Sequence, residues 1–458
     1  MTALAAADAT RPGTSYYVPA VRIVKLSPTL QAGGEAGQVL DRDVLADVLS
    51  VEVTRVASGP ATFKIRMNNW YTSTATDRSA ESDEFTALAA RESARAGSPH
   101  WPRFKYNDFS LLAFGERLRI DMRYMPEPVA DRGTRQQNNE RAWVPMISGP
   151  VTDMRFTFGA SDGARVEICG EDDLSALKDK VNRRIIMDRL GEVNIARQAL
   201  ARAQYPISAI ARPLVEYPSF TTNDSQGLRE AIQRGQSYLD LINRLGERLD
   251  FEIFLEFQSL DDPASPLEFH FEPCRARVLG VGFRLDRERD LLELTPTIKV
   301  VDQYSVVHVL GRHRDPLLDE PVGGEAQHTI VADELHRDAS RDGPLKSAGE
   351  VREHFFPNRS NPHEVPNQSN MDPVRADWYA EAVIRRKARE FLTIQATTLG
   401  QPRLRPGQHV EIRGMRPPFD GFYYVTQVVT SYGADGMRSR ISASRPGMEL
   451  APYREQAA

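Results

Sequence analysis

Cysteine is almost absent from this sequence, since the 458 residues include only Cys169 and Cys274. Two cysteines cannot form the disulfide framework of a small secreted domain or the cysteine-rich ligand set of a structural zinc site. Each one follows an alternating apolar segment, ARVEIC in the first case and LEFHFEPC in the second. We therefore predict two buried free thiols in separate strands, without a disulfide, a metal or a cofactor.

Long apolar runs and an excess of one charge are also missing. No stretch of 18 apolar residues is present, and the opening MTALAAADATRPG lacks the basic and apolar parts of a secretion signal. Lys and Arg number 58 against 63 Asp and Glu, a net charge of −5. Such a balance gives no electrostatic reason for binding nucleic acid or an anionic membrane. We expect a chain made in the cytoplasm that neither binds nucleic acid nor inserts into a membrane by itself.

Motifs that carry common catalytic chemistry are missing as well. The sequence has no G-x-S-x-G, no P-loop and no H-E-x-x-H. His308 and His313 lack the spacing of a helical metal pair and have no nearby cysteine, so strand-end polar positions explain them better. The acidic run Glu171-Asp172-Asp173 opens a predicted helix, where its charges favour the helix dipole. We predict no catalytic, cofactor-binding or metal-binding residue. A catalytic pair brought together only by folding is the alternative.

What the sequence does contain is a strong β pattern over residues 393–446. In HVEI, Val410 and Ile412 face one way against His409 and Glu411. At 423–429, Tyr424, Thr426 and Val428 face opposite Tyr423, Val425, Gln427 and Val429, as half-buried antiparallel strands require. Turn residues separate the strands at Pro406-Gly407, Pro417-Pro418, Asp420-Gly421 and Asp435-Gly436. This stretch is therefore predicted to be a short antiparallel meander.

A weaker copy of this pattern lies at residues 112–170. LAFGERLRIDM corresponds to RLRPGQHVEIRG, ISGPVTDMRF to FDGFYYVTQV, and FGASDGARVEIC to YGADGMRSRISA. This matching places Gly115 on Gly407 and Gly149 on Gly421, and a later difference of one residue in spacing fits a single β-bulge. We interpret the pair as an internal duplication of one β-unit, with chance similarity as the alternative.

Helical periodicity interrupts the β pattern after Gly170. It predicts helices at 171–190 and 225–249, the second capped within 221–224, and then strands at 250–258 and 267–273. Residues 315–372 show no periodicity and little apolar content, so we expect an extended segment held by neighbouring chains.

The predicted fold class is mainly β with an α+β insert: two related β-barrel domains, a small α/β domain and long loops. The predicted domains are a first barrel over 1–175 with an insertion at 72–107, a helical and α+β insert over 176–275, a second barrel formed by 276–315 and 392–449, an extended interaction arm over 316–372, and a helix over 373–391.

These segments together resemble the late control D family of phage tail proteins. The resemblance is carried by G-x-P-x-L-x-P-G-x-x-V-x-I-x-G followed by F-x-G-x-Y-x-V in 400–425, by SYLDLINRLGERLDFEIFLEF, and by FGERLRIDM, ISGPVTDMRF and VEICGED. That family is similar to the hub portion of VgrG and to the baseplate hubs of contractile phage tails and extracellular contractile injection systems. The resemblance covers most of 17–449. It departs at Thr430-Ser431, where the family often has a histidine, and in the length of 72–107 and 315–372.

The resemblance implies a structural baseplate hub and not an enzyme. It implies a homotrimer in which two barrels per subunit form a pseudo-sixfold ring, with a hexameric inner tube protein, a trimeric spike protein and other baseplate subunits as partners. Rings of different order cannot repeat one bonding pattern across their contact, so an adaptor is needed. We expect neighbouring subunits to meet on the outer face of 404–429, where Val429→Asp should disturb assembly.

Two alternatives are open at this stage. Tail hubs can be fused to peptidoglycan-cleaving domains, which is the enzyme alternative. A barrel for oligosaccharide or single-stranded nucleic acid could use an aromatic platform at Phe419, Phe422, Tyr423 and Tyr424. These aromatics occupy both faces of their strand, and the acidic balance of the whole chain offsets the flanking Arg403, Arg405 and Arg413. Both features favour core packing.

Overall fold

A computed structural model describes residues 18–30, 35–69, 104–125, 143–159, 163–178, 192–207, 236–274, 281–313, 321–327, 345–357, 359–371 and 373–449. In these residues the strands are β1 (Val18–Lys25), β2 (Gln38–Val39), β3 (Val48–Val56), β4 (Thr62–Asn68), β5 (Arg117–Met125), β6 (Val144–Gly159), β7 (Gly163–Glu171), β8 (Phe251–Phe257), β9 (Leu267–Pro273), β10 (Val281–Asp286), β11 (Leu291–Ile298), β12 (Val306–His313), β13 (Pro321–Gln327), β14 (Leu345–Ser347), β15 (Pro362–Met371), β16 (Leu392–Leu399), β17 (His409–Arg413), β18 (Gly421–Gly433), β19 (Gly436–Arg445) and β20 (Gly447–Glu449).

The helices are α1 (Arg42–Ala46), α2 (Glu192–Arg202), α3 (Tyr238–Leu249), α4 (Ala348–Phe355) and α5 (Pro373–Arg389), with a 3-10 helix at Asp173–Leu177. The predicted mainly-β fold with a small α+β insert is confirmed. Within the described residues, no helix is both long enough and apolar enough to cross a bilayer.

The first β-unit consists of six strands that pair in the order β3-β4-β7-β6-β5-β1, all antiparallel. Alternation along the strands points one face inward, as in β4, where Phe63, Ile65 and Met67 are buried. Strand β6 has 16 residues and pairs with β5 in its first half and with β7 in its second half. One long strand therefore carries the sheet around a single core.

The second β-unit repeats the first. Its strands β10, β11, β16, β17, β18 and β19 follow the same chain order and pair in the matching order β11-β16-β19-β18-β17-β10. One pairing differs, since β10 runs parallel to β17 whereas β1 runs antiparallel to β5. The shared strand order confirms the predicted repeat.

The two units also match at the level of single hydrogen bonds. The N–H of Gly115 donates to the carbonyl of Val151 at 2.9 Å, and the N–H of Gly407 donates to the carbonyl of Val425 at 2.8 Å. Directly after each valine the strand has a register shift against its neighbour. Both glycines have positive φ, 77° and 84°, a conformation that favours glycine. The predicted correspondence of Gly115 with Gly407 is confirmed.

The predicted correspondence of Gly149 with Gly421 is wrong by two residues. Gly149 lies opposite Leu118, and Tyr423 lies opposite Val410, the counterpart of Leu118. Gly149 therefore corresponds to Tyr423. A Cβ at Gly149 would lie 1.9 Å from the carbonyl oxygen of Glu171, so glycine is required there by a backbone contact particular to the first unit.

The difference of one residue in spacing is not a bulge, because both units have the same bulge. The difference came from matching Gly149 to Gly421. Counted from Tyr423, the true counterpart of Gly149, the second unit is one residue shorter, because the hairpin connection from Gly433 to Gly436 has one residue fewer than that from Gly159 to Gly163. The sequence spacing was the same for a bulge and for a longer turn, and only the strand register distinguishes them.

The insert between the units packs α2, α3, β8 and β9 around one apolar core. Helix α3 begins at Tyr238, because Ser237 has an extended backbone and forms a capping box with Asp240. The prediction of one helix over 225–249 is therefore wrong at its start, and its proposed cap at 221–224 lies outside the described residues. Of the helix predicted at 171–190, the described part is the 3-10 helix, and 179–191 lie outside the described residues.

The predicted interaction arm over 316–372 is wrong for the residues that the structure describes. Strands β13 and β15 of this segment pair on either side of β12, and helix α5 packs on that small sheet. Alanines of α5 supply the apolar contact, with Ala376 and Ala380 fully buried. Small residues on a nearby helix thus replace the apolar content that the segment itself lacks. Most of the predicted insertion at 72–107 lies outside the described residues, which resume at Phe104.

Candidate assembly interface

The two β-units meet along one pair of strands, which we call the internal joint. It consists of Val51–Val56 of β3 paired antiparallel with Gln427–Tyr432 of β18. The N–H of Ala57 extends the ladder by donating to the carbonyl of Thr426 at 2.8 Å. Val53 and Thr430 lie opposite each other and are 0% and 1% exposed. The joint merges both units into one continuous sheet.

The internal joint corrects the prediction for Val429. This residue lies opposite Thr54 on β3 and opposite Arg440 on β19, so its strand is paired on both edges within the chain. The outer face of 404–429 therefore contacts the first unit of the same chain at this point. The sequence could not show this, because either surface satisfies the same alternating pattern.

A buried charge cluster fixes the insert to the internal joint. Glu256 of β8 accepts a hydrogen bond from Nη2 of Arg55 at 2.7 Å, and Nε of Arg405 lies 3.5 Å from the same carboxylate oxygen. Arg405 is 2% exposed, and its Nη2 donates to the carbonyl of Pro145 at 2.8 Å. One carboxylate thus holds two arginines, one from each unit, and Arg405 also reaches β6.

Backbone contacts support this cluster from the neighbouring turn. The N–H of Gly59 donates to the carbonyl of Ile253 at 2.7 Å, and the N–H of Ile253 donates to Oγ of Ser58 at 3.2 Å. On the other side, the hydroxyl of Tyr424 donates to Glu252. The insert therefore spans the seam between the units and limits how they can move against each other.

The acidic run at residues 171–173 serves as a helix cap and an ion-pair site. Asp172 accepts hydrogen bonds from the N–H groups of Ala61 and Leu174 at 2.9 and 3.1 Å. Asp173 forms two hydrogen bonds with Arg117, at 2.9 and 2.8 Å. Burial raises the pKa of Asp172 to about 7 and raises the pKa of Asp173 too. These groups fix the 3-10 helix that follows β7 against the first unit.

The aromatic platform considered for ligand binding has its two tyrosines buried, whereas Phe419 and Phe422 are half-buried. Tyr423 and Tyr424 are 0% and 2% exposed. The hydroxyl of Tyr423 donates to the carbonyl of Phe419 at 2.7 Å, and Phe419 packs against the core of the second unit. Core packing, the favoured interpretation of these aromatics, agrees with their burial.

The three arginines that flank the aromatics have separate roles. Arg405 belongs to the buried charge cluster, Arg403 pairs with Asp261 at the surface, and Arg413 pairs with Glu411 at 2.7 Å. Each therefore has a carboxylate partner, and the three do not form a shared anion site. The sequence did not reveal Glu256 or Arg55, although Arg55 is the one basic residue in the otherwise strand-like VEVTRV.

The histidines and cysteines singled out in the sequence lie in strands or directly after one. His308 lies opposite Glu325, with Nδ1 3.5 Å from its carboxylate. His313 ends β12. Cys169 and Cys274 are half-buried and form no disulfide, and burial raises the pKa of Cys169. Among the described residues, no cluster of His, Cys, Asp and Glu could hold a metal ion.

Each strand of the internal joint, β3 and β18, has a counterpart in the other unit. Among the described residues, the outer edges of these two counterparts are unpaired. β11 is the counterpart of β3 and ends the sheet beyond β16. Residues 153–158 of β6 are the counterpart of 427–432, and they pair only with β7. On these residues Phe158 remains 56% exposed.

Comparisons with known proteins show what this architecture is similar to. No family model matches the chain, and no curated protein matches it. Among solved structures, the 43 kDa tail protein of prophage MuSo2 from Shewanella oneidensis is similar, with a TM-score of 0.55, 12% identity and coverage of 93% of this chain and 98% of that chain. The tail protein from Neisseria meningitidis MC58 has a TM-score of 0.54 and 10% identity, covering 94% of this chain and 97% of that chain. The chain therefore has the fold of phage tail proteins, which confirms the resemblance predicted from the sequence at the level of fold.

Proposed function

We propose that this chain is the structural hub subunit of a baseplate, in a contractile phage tail or a related injection system. Three copies form a ring in which six similar β-units alternate, and the ring adapts a hexameric inner tube to a trimeric spike. The observation that carries this proposal is the repeat itself: one chain contains two six-stranded units with the same strand order, joined side by side. The fold shared with tail proteins supports it.

The doubled unit offers a way to contact rings of different symmetry. A threefold ring of single units presents three equivalent surfaces, whereas a threefold ring of doubled units presents six similar ones. The tube would contact all six units, and the spike would contact a feature that occurs once per subunit, such as the insert or the small sheet of β12, β13 and β15. The partners proposed are thus a homotrimer, the tube, the spike and other baseplate subunits.

We propose that the role is structural and not enzymatic. The proposal also includes where the protein acts. The subunit would be made in the cytoplasm and would act in the assembled tail or particle. The division into domains proposed for it keeps the boundaries at 175, 275 and 392, with the segment before 392 contributing a small α/β layer instead of an arm. Limited proteolysis followed by mass measurement of the fragments would test these boundaries.

The mass of the purified protein in solution tests the proposed hub directly. Light scattering at micromolar concentration, alone and with the tube or spike protein, should give three copies, and averaged electron micrographs should show a ring with six similar lobes. A folded monomer that forms no ring even with these partners would contradict the proposal.

A further inference from the structure

The outer edge of β11 matches the edge that β3 uses in the internal joint. Both strands have a register shift at the same place, between Val48 and Ser50 in β3 and between Leu291 and Glu293 in β11. Counting from this shift, the following residues of β11 correspond one by one to those of β3: Leu294 to Val51, Thr295 to Glu52, Pro296 to Val53, Thr297 to Thr54, Ile298 to Arg55 and Lys299 to Val56.

The same comparison applies to the other side of the joint. From the matched bulges at Val151 and Val425, residues 153–158 of β6 correspond to 427–432 of β18. At the internal joint, Val428 and Thr430 are each 1% exposed, whereas their counterparts Met154 and Phe156 are only half-buried. The free edge therefore exposes positions that pairing would cover.

We propose that β11 of one subunit pairs antiparallel with residues 153–158 of β6 in the next subunit, in the register of the internal joint. This rests on the proposed hub and identifies the contact between its subunits. The partner is a second copy of this chain, because the described residues of each copy include one unpaired edge of each kind. Such a contact joins unlike surfaces head to tail and closes a ring without leaving either edge open.

The side chains that this register brings together are compatible. Lys299 faces Asp153, a pair of opposite charges, and Thr295 faces Thr157. Leu294 faces Phe158, and these are apolar on both strands. No like charges face each other.

The proline at position 296 is also consistent with β11 being an edge strand. The N–H of Lys299 donates to the carbonyl of Phe391 on the inner side, so by alternation the nitrogen of Pro296 faces outward. A proline there removes one donor from the free edge, which discourages pairing with unrelated strands. The proposed contact has one hydrogen bond fewer than the internal joint for this reason.

Paired cysteines test the register. Arg155 faces Thr297, and their counterparts Val429 and Thr54 form a pair without mutual hydrogen bonds, a geometry in which Cα atoms approach closely enough for a disulfide. The double variant Arg155→Cys/Thr297→Cys should form covalent dimers and trimers on mild oxidation of the assembled protein. The control Arg155→Cys/Thr295→Cys is displaced by two residues and should cross-link at least tenfold more slowly. The two single variants report any bond to Cys169 or Cys274.

Charge exchange gives a second, independent test. Lys299→Asp and Asp153→Lys should each weaken assembly several-fold with little change in the thermal transition of the separated subunit, because both residues are exposed. The double exchange should restore assembly. If the wild-type protein forms a ring but the matched cysteines link no faster than the control, or the double exchange fails to restore assembly, the strand contact is wrong and the hub remains. If no ring forms with the wild-type protein, the hub itself is wrong.

Discussion

Single charged residues at the seam between the two units and the insert decide how these parts fit together. Glu256 lies between Arg55 and Arg405, both nearly fully buried. Buried charges of this kind add little net stability as pairs, but removing one partner leaves the others uncompensated. They therefore fix orientation more than they add stability, which suits the proposed hub, in which one chain presents two units at a defined angle.

We expect Glu256→Gln to destabilise the folded subunit strongly. The neutral amide leaves two buried arginines without their anion, so the free energy of unfolding should fall by about 3 kcal/mol. Denaturant unfolding measures the change. Asp261→Asn is the matched control, because Asp261 pairs with Arg403 at the surface and its loss should cost less than about 1 kcal/mol. Equal effects of both variants would contradict the role given to the cluster.

Asp172 should make stability depend on pH in the acidic range. Its pKa is raised from 3.8 to about 7 in the folded protein, so the folded state binds a proton more tightly than the unfolded state does. This contribution is complete below about pH 4 and is lost as the pH rises through about 7. Relative to Asp172→Asn, the free energy of unfolding should fall with rising pH by up to about 1.4 kcal/mol per pH unit. Parallel pH profiles for the two proteins would show that Asp172 does not titrate in this way.

At the scale of strands, the sequence predicted the repeat but not its register. Turn glycines such as Gly115 and Gly407 were informative because a positive φ requires the same residue in both copies. Gly149 was matched to the wrong residue, because glycine is required there for a different reason. A backbone carbonyl approaches it closely in the first unit alone. Helix α3 was located by periodicity, whereas its start depended on a cap at Ser237 that lies within the periodic stretch.

Gly149→Ala should therefore be far more harmful than a substitution at a turn glycine. The new Cβ would lie 1.9 Å from a backbone oxygen of Glu171, which cannot move aside as a flexible side chain could. We expect a loss of about 3 kcal/mol or more in unfolding free energy. A Cβ at Gly115 would have no other atom within 4 Å. Gly115→Ala should therefore lower the unfolding free energy only by the strain of a φ of 77°, about 1 to 2 kcal/mol. Thermal unfolding of both variants makes the comparison, and a tolerated Gly149→Ala would refute it.

Pro296→Val should tighten the ring. Valine supplies the outward N–H that Val53 has in the internal joint, and so adds one hydrogen bond to each contact between subunits. The dissociation constant of the ring should fall several-fold, in line with about 1 kcal/mol for a hydrogen bond. The reverse change, Val53→Pro, removes a donor from the internal joint and should instead lower the stability of the single subunit. Irregular aggregates of Pro296→Val in place of tighter rings would argue against the contact.

For the whole molecule, the sequence was sufficient for the class of fold and insufficient for the placement of its parts. The segment 316–372 was predicted to be an arm because its own apolar content is low, yet β13 and β15 obtain a core from α5 and β12. Val429 was assigned to a contact between subunits, and it lies at the contact between the two units of one subunit. Long-range pairing of this kind depends on which strand edge remains free, and that is not encoded in local alternation.

The difference between the internal joint and the proposed contact between subunits predicts how thermal stability depends on protein concentration. If the ring forms only from folded subunits, unfolding is coupled to dissociation, and the thermal midpoint of the wild-type protein should rise with total protein concentration. Lys299→Asp, which alters only the free edge, should lose most of this dependence while keeping the midpoint that the wild-type protein has when dilute. Tyr432→Asp, opposite Val51 in the internal joint, should lower the midpoint at every concentration, because it damages the subunit itself. Calorimetry over a wide range of concentration separates the two patterns. A thermal midpoint that does not depend on concentration in the wild-type protein, together with a monomeric mass, would contradict the proposed pairing of β11 with β6 between copies of the chain.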